Sequence, residues 1–295
     1  MRQLVFSLLI SWIALPAVAF DPLAQDPEPD AGYPPAIAEL SFDSEGNLLP
    51  GLMYLANGVG PHPTIVLLHG IPGNEKNLDI AQVLRRAGFN VMFFHYRGAW
   101  GAEGDYSVLT VDDDALAALA HLRQPGVAEQ YRVDLNRLSL LGHSLGGFAS
   151  LSAGSQDKGV VCVGAIAPAN LGVYARDIRA QRPAAEDFLE YVDSLFMLAG
   201  FDGERMREQL LSAPMEHLDT TRFGAGLRGK TVFIVAGDRD QVTPPAQSFE
   251  PVVAAYRNDP QIRLRSQLLS GDHSFSWSRI ALSQRLLEWY SADCR

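Results

Sequence analysis

A serine flanked by glycines, a histidine in a short loop near the end of the chain and a carboxylate between them in sequence can together carry out one kind of chemistry. The apolar run Arg137-Leu-Ser-Leu-Leu141 leads into Gly142-His143-Ser144-Leu145-Gly146 and then into the small-residue stretch 148–153. This places a G-x-S-x-G pattern in a strand-turn-helix context. A sharp turn there lifts Ser144 Oγ above the strand ends, and Gly142 and Gly146 are needed because a side chain at either would clash across the turn. A capping serine at an ordinary helix start does not require glycine on both sides. A serine hydroxyl is a poor nucleophile at neutral pH, so it needs a base within hydrogen-bond reach and a third group to fix that base's tautomer.

Seven histidines are available for the base. His273 stands in Gly271-Asp272-His273-Ser274-Phe275, after the last apolar run and before the final helical stretch, where an imidazole can reach over the strand ends. His143 is next to Ser144 but is expected to point away through the turn. His62, His121 and His217 read as surface residues, and His95 reads as a core histidine. The orienting carboxylate belongs after a strand between nucleophile and base, at Gly237-Asp238-Arg239-Asp240-Gln-Val-Thr-Pro244. Asp238 and Asp240 both compete for the role. Asp240 is preferred, because Asp238 sits tight in the turn after Gly237 and suits a turn-stabilising side chain. An acyl-transfer oxyanion also needs two backbone N–H donors. Leu145 supplies one, and Ile71, in the bend Leu68-His69-Gly70-Ile71-Pro72-Gly73, supplies the other.

These residues must be carried by a scaffold, and the rest of the chain describes one. Unbroken apolar runs at 64–69, 89–95, 137–142, 160–167, 231–237 and 262–269 read as strands buried on both faces. Amphipathic stretches of helical length lie between most of them, at 77–87, 111–122 and 245–256, which implies a parallel sheet with helices on both faces. Ahead of them, 36–42 and 48–56, joined by a turn containing Gly46-Asn47, read as an antiparallel hairpin on the sheet edge. Residues 170–228 have helical pattern and no strand, and read as an inserted cap.

At this point the residues resemble the α/β-hydrolase family, in its branch of serine esterases and of peptidases of the prolyl-oligopeptidase and aminopeptidase type. The resemblance rests on the His69-Gly70 loop, on His95-Tyr-Arg-Gly98-Ala-Trp-Gly101-Ala-Glu-Gly104, on Gly142-His-Ser-Leu-Gly146, on Gly237-Asp-Arg-Asp240 and on Gly271-Asp-His273. The one departure is Ala102, where the Arg-Gly-x-Gly-x-Ser segment often carries serine. The resemblance implies an α/β-hydrolase fold with a mostly parallel central sheet, helices on both faces and a helical cap insertion. It also implies a serine hydrolase acting through Ser144, Asp240 and His273 on carboxylic esters, or alternatively on short peptides. A catalytically silent binding module on the same fold is a third reading, weakened by all three positions being filled.

Composition narrows the partners. With 24 basic and 34 acidic side chains in 295 residues, the net charge is −10, and no basic run appears that could serve nucleic acid. Neither a phosphate-binding nor a dinucleotide glycine fingerprint is present, and no metal-ligand spacing is seen, so no cofactor or metal is expected. Residues 1–19, with Arg2, an apolar core and Pro16-Ala-Val-Ala19, read as a secretory signal peptide too short to span a bilayer. This predicts an exported protein, periplasmic or extracellular, without a stable membrane anchor. Residues 20–35 hold five Pro among 21–35 and read as a disordered arm, leaving 36–295 as the hydrolase domain. Cys162 and Cys294 are expected as two unpaired thiols, Cys162 being a buried strand residue. In the cap, Glu186, Glu190 and Asp193 share one helix face. They read as a solvated face, with an anionic patch for a peptide's amino terminus as the functional alternative, while Phe196, Met197 and Phe201 are candidates for lining an acyl pocket.

Overall fold

The structure, a computed structural model, describes residues 20–294. The expected signal peptide therefore lies outside the described residues. The chain begins with the hairpin β1 (Ala36–Ser44) and β2 (Asn47–Leu55), whose two-residue turn places Glu45 and Gly46 at φ 51° and 82°, the conformation that matches strand twist. Strand β3 (His62–Leu68), helix α1 (Leu78–Arg86), strand β4 (Asn90–Phe94), helices α2 (Val111–Leu122) and α3 (Pro125–Gln130), and strand β5 (Val133–His143) follow. Next come α4 (Leu145–Gln156) and β6 (Val160–Ile166). A helical segment with α5 (Leu171–Arg179), α6 (Pro183–Asp193), α7 (Gly203–Ser212), α8 (Met215–Leu218) and a 3-10 stretch (Thr220–Leu227) then precedes β7 (Thr231–Gly237). The chain closes with α9 (Pro245–Ser248), α10 (Glu250–Arg257), β8 (Arg263–Leu269) and α11 (Arg279–Asp293).

The eight strands form one sheet in the order β1-β2-β4-β3-β5-β6-β7-β8, antiparallel at the first two pairings and parallel thereafter. Every residue of β4 and β7 is buried, as their unbroken apolar runs suggest, whereas β8 lies at the sheet edge and has only exposed and half-buried residues, not the two buried faces expected of 262–269. Alternate side chains serve opposite layers: Val66, Leu68, Val232 and Ile234 pack with α2, α4 and α10, whereas Ile65, Leu67, Phe233 and Val235 pack with α1 and α11. From the central pair β3 and β5 the chain winds outward in both directions. This creates a crevice at the carboxyl ends of those strands, where open α/β sheets bind ligands.

Three expectations change. The stretch 245–256 is two helices, α9 and α10, that meet at Phe249 just ahead of Pro251, which has no N–H to continue a helical ladder. The segment 20–35 has no helix or strand, yet it is tied to the body rather than free. Asn57 accepts from Asp30 N at 2.8 Å and donates to the Glu28 carbonyl at 2.9 Å, Arg86 Nε donates to the Pro22 carbonyl at 2.6 Å, and the Arg132 guanidinium lies over the Tyr33 ring. Its prolines forbid regular structure but leave its polar groups free to find partners. Third, Cys162 and Cys294 are joined in a disulfide, with Cα atoms 6.0 Å apart. Burial of Cys162 and pairing are compatible because α11 crosses the sheet and delivers its own C-terminal cap onto β6. Among the described residues no helix is long and apolar enough to cross a membrane.

The disulfide closes a loop with a sequence separation of 132, for which the chain-entropy relation gives up to about 5 kcal/mol of stabilisation. Denaturant unfolding of a Cys294→Ser variant, compared with the oxidised wild type, is expected to show a clearly lower midpoint. Identical midpoints would mean that the cross-link does not constrain the unfolded chain.

Candidate active site

Strand β5 ends at His143 and α4 begins at Leu145, so Ser144 alone makes the turn. Its backbone sits at φ 58° and ψ −120°, a sparsely populated region for a residue with a side chain, at a cost of about 1–3 kcal/mol. Three main-chain hydrogen bonds hold it there: Ser144 N to the Ile166 carbonyl at 2.9 Å, and Phe148 N and Ala169 N to the Ser144 carbonyl at 3.1 and 2.9 Å. A Cβ on Gly142 would overlap the carbonyl oxygen of Gly146, and one on Gly146 would overlap that of Leu68. The two glycines are therefore fixed by backbone packed directly on backbone.

The loop after β3 passes over this turn, close enough that a Cβ on Gly70 would lie 2.9 Å from Ser144 Cβ. Its shape is set from behind by aromatic and imidazole groups. His69 is fully buried, and its Nδ1–H donates to the Gly70 carbonyl at 2.7 Å. Tyr96 Oη donates to the His69 carbonyl at 3.0 Å, Trp100 Nε1 to the Pro72 carbonyl at 2.6 Å, and His95 stacks against both His69 and Trp100. Ile71 is thus carried to the cavity beside Ser144. Leu145, the first residue of α4, has an N–H with no intrahelical acceptor. Its helix contributes the positive end of its dipole at the same place.

His273 and Asp240 meet in a hydrogen bond of 2.7 Å between Nδ1 and Oδ2. Asp240 is buried and accepts further bonds from Val242 N and Thr243 N, each 2.8 Å, and from Thr243 Oγ1 at 2.7 Å. Burial pushes its carboxyl up, but the bond from His273, that ring's charge and the donors of Thr243 outweigh it and hold the pKa below the usual carboxylate range. Asp238 instead accepts from Gly271 N at 3.1 Å, so it ties its loop to the loop of His273 rather than bonding within its own turn as expected.

Ser144 and His273 line one cavity of about 270 Å³, with Leu145 and Ile71 at its floor and Leu171, Tyr174, Phe188, Tyr191 and Met206 of the helical segment over it. Ser144 Oγ makes no hydrogen bond among the described residues, and catalytic hydrogen bonds often tighten only once substrate is bound. Larger clefts, among them one of about 580 Å³ beside Asp112 and His217 and one of about 530 Å³ beside Lys76 and Ser276, reach neither Ser144 nor the His273 ring. Apart from His273, the cavity has no ionisable lining group other than the two tyrosines. Among the described residues no group of three or more His, Cys, Asp or Glu could hold a metal ion.

Several sequence expectations are displaced here. Phe196 is 91% exposed and Phe201 packs edge-on against Tyr106, so the apolar lining comes from Phe188, Tyr191 and Met206 instead. Glu186 pairs with Arg207 and Asp193 accepts from Gly203 N, and neither these nor Glu190 lines the cavity. His62 and His121 are not surface residues: His62 is buried with Nε2 3.0 Å from the Gly58 carbonyl, and His121 stacks on Phe42. His143 does not point away from the chemistry. Its Nε2 lies 2.8 Å from the His273 carbonyl oxygen, and the two rings are 4.7 Å apart. The contact joins residues 130 apart in sequence, and no local pattern encodes it.

Burial lowers the pKa of both His69 and His143 from 6.5 to about 3, so both rings are neutral in the folded protein. Between those values the proton is taken up only on unfolding. Stability is therefore fully present above pH 6.5 and declines on acidification, by about 1.4 kcal/mol per pH unit for each ring. Urea unfolding at pH 7 and pH 5 is expected to show this loss, with a shallower slope in a His143→Gln variant. Equal slopes would contradict the buried neutral ring.

Residues 65–287 match the profile of the family described as "Alpha/beta hydrolase family". The chain is 30% identical over 182 residues to Esterase EstD of Thermotoga maritima, covering 57% of this chain and 39% of that one, so it spans about two fifths of that curated relative's length. Among solved structures it resembles Est1E from Butyrivibrio proteoclasticus, with TM-score 0.64, 17% identity, and coverage of 86% of this chain and 98% of that one. It also resembles an acylaminoacyl peptidase of Pyrococcus horikoshii, with TM-score 0.64, 15% identity, and coverage of 88% and 42%. At these identities the two solved structures speak for the fold alone. The family match covers most of the sheet and all the loops that meet at Ser144, and on that ground the chain belongs to the alpha/beta hydrolase family.

Proposed function

We propose that the protein is an exported serine hydrolase that cleaves carboxylic esters of compact, uncharged acyl groups through an acyl-enzyme. The observation that carries this reading is the pairing of an apolar, uncharged cavity at Ser144 with a His273–Asp240 hydrogen bond of 2.7 Å at its edge. Ser144 Oγ attacks the acyl carbon while its proton passes to His273 Nε2, and Asp240 stabilises the imidazolium that results. The N–H groups of Leu145 and Ile71 receive the oxyanion. Collapse breaks the bond to the alcohol oxygen, which takes the proton from His273. Water, deprotonated by the same ring, then attacks the acyl-enzyme, releasing the acid and restoring Ser144.

The cavity also supports a choice of substrate. An aminopeptidase must neutralise a free ammonium, and no carboxylate lines this cavity: Glu186 pairs with Arg207 and Asp193 accepts from Gly203 N. At about 30 Å³ per water-sized group, 270 Å³ holds an acyl portion of about nine heavy atoms. A disulfide between Cys162 and Cys294 suits an oxidising compartment and supports export.

Hydrolysis of p-nitrophenyl esters of increasing chain length is expected to peak at short to medium acyl groups and to fall for long ones, with Phe188→Ala shifting the optimum to longer chains. Ser144→Ala should lose roughly 10⁴-fold or more in kcat, and Asp240→Asn on the order of 10⁴-fold. Aminoacyl-anilides cleaved as well as the esters would replace this reading with a peptidase.

A further inference from the structure

The loop that carries His273 reaches the active site from β8, three strands away from β5, and must hold its imidazole over a serine to which it has no covalent connection. Its flanks are secured: Gly271 by Asp238, Asp272 by the main chain and hydroxyl of Ser276, and the Ser274 carbonyl by Arg279. The side chain of His273 is secured by Asp240. Its own main chain makes one hydrogen bond among the described residues, to His143 Nε2 at 2.8 Å.

We propose that His143 is a positioning residue for the base, a brace from the residue that immediately precedes the nucleophile to the main chain of the residue that activates it. A carbonyl oxygen only accepts, so Nε2 of His143 carries the proton and donates it. The ring is 4% exposed, sits at the C-terminal end of β5 and packs 4.7 Å from the His273 ring. It therefore fixes the height of His273 relative to Ser144 from the same strand end that fixes Ser144. Besides His273, the charged groups that act on it are Arg279 and Asp240. Because the ring is neutral, it does not oppose the positive charge that His273 acquires while it holds the serine's proton. This rests on the proposed role of His273 as base, and it separates two functions within the Gly142–Gly146 turn: glycine makes the bend, and the histidine sets the distance to the base.

The test compares His143→Leu, which fills space without donating, with His143→Gln, whose amide Nε2 can reach the same carbonyl. In the leucine variant kcat toward a short p-nitrophenyl ester is expected to fall roughly 10- to 100-fold, the scale of a base misplaced by about 1 Å, with KM within about twofold. The glutamine variant is expected to recover most of that loss. A leucine variant as active as wild type, or a glutamine variant as impaired as leucine, would overturn the brace. Should leucine fail to fold, His143→Met supplies an unbranched side chain without a donor. Proton NMR of the full chain gives a readout independent of turnover. The downfield His273 Nδ1–H signal, assigned by its loss in His273→Gln, should broaden or move in the non-donating variant and persist in His143→Gln. An unchanged signal in the non-donating variant would refute the inference, even in a protein that hydrolysed none of the esters and so failed the functional reading itself.

Discussion

One constraint governs this molecule: at the end of β5 the chain must reverse into α4 through a single residue, with backbone packed against backbone on both sides. The carbonyl oxygens of Gly146 and Leu68 occupy the space that side chains on Gly142 and Gly146 would need, and Ser144 is left in a backbone conformation that costs about 1–3 kcal/mol. An isolated hairpin could not sustain such a turn. Here it is held by main-chain bonds to the neighbouring Ile166 and Ala169, and by a sheet whose central strands are buried on both faces. The strain is local and the support is global, which leaves the hydroxyl no freedom to relax into an ordinary helix start.

The other parts of the site are arranged around that fixed point by different means. The Ile71 loop is supported from behind by His69, Tyr96 and Trp100, which donate to its carbonyls, and by His95, which packs against His69 and Trp100. The His273 ring is held by Asp240, which is in turn held by three donors of its own loop. The cap attaches to the body through Tyr106 and Trp100, whose N–H groups bond the carbonyls of Ala199 and Met197, and its helices present Phe188, Tyr191 and Met206 to the cavity. The sheet edge thus carries the polar groups that could do chemistry. The helices between β6 and β7 supply the apolar wall over them.

Much of this was legible in the sequence because it is local or strongly patterned. Strands buried on both faces leave unbroken apolar runs, and a turn made by backbone contact leaves glycines at fixed offsets from Ser144. Asp238 and Asp240 follow the same tight turn, and the sequence told them apart only by their place in it; in the fold Asp238 accepts from Gly271 N of the facing loop and Asp240 from His273 Nδ1. What was not legible depends on contacts between distant segments. The disulfide joins residues 132 apart, and His143 meets the carbonyl of a residue 130 away. Phe196, Met197 and Phe201 were candidates for the lining and none of them lines the cavity, because apolar content alone does not say which helix face turns inward. The packing of α6 on α7 turns Phe188 inward and leaves Phe196 in solvent.

The strained turn at Ser144 has catalytic meaning only if Ser144 is an activated nucleophile. Treating the protein with a fluorophosphonate probe, then locating the adduct by peptide mass spectrometry, tests this without any assumption about substrate. The expected result is a single adduct on Ser144, formed rapidly in the wild type, far more slowly in Asp240→Asn and not at all in Ser144→Ala. An unlabelled wild type, or labelling that persists at another residue in Ser144→Ala, would contradict the role assigned to the strained turn.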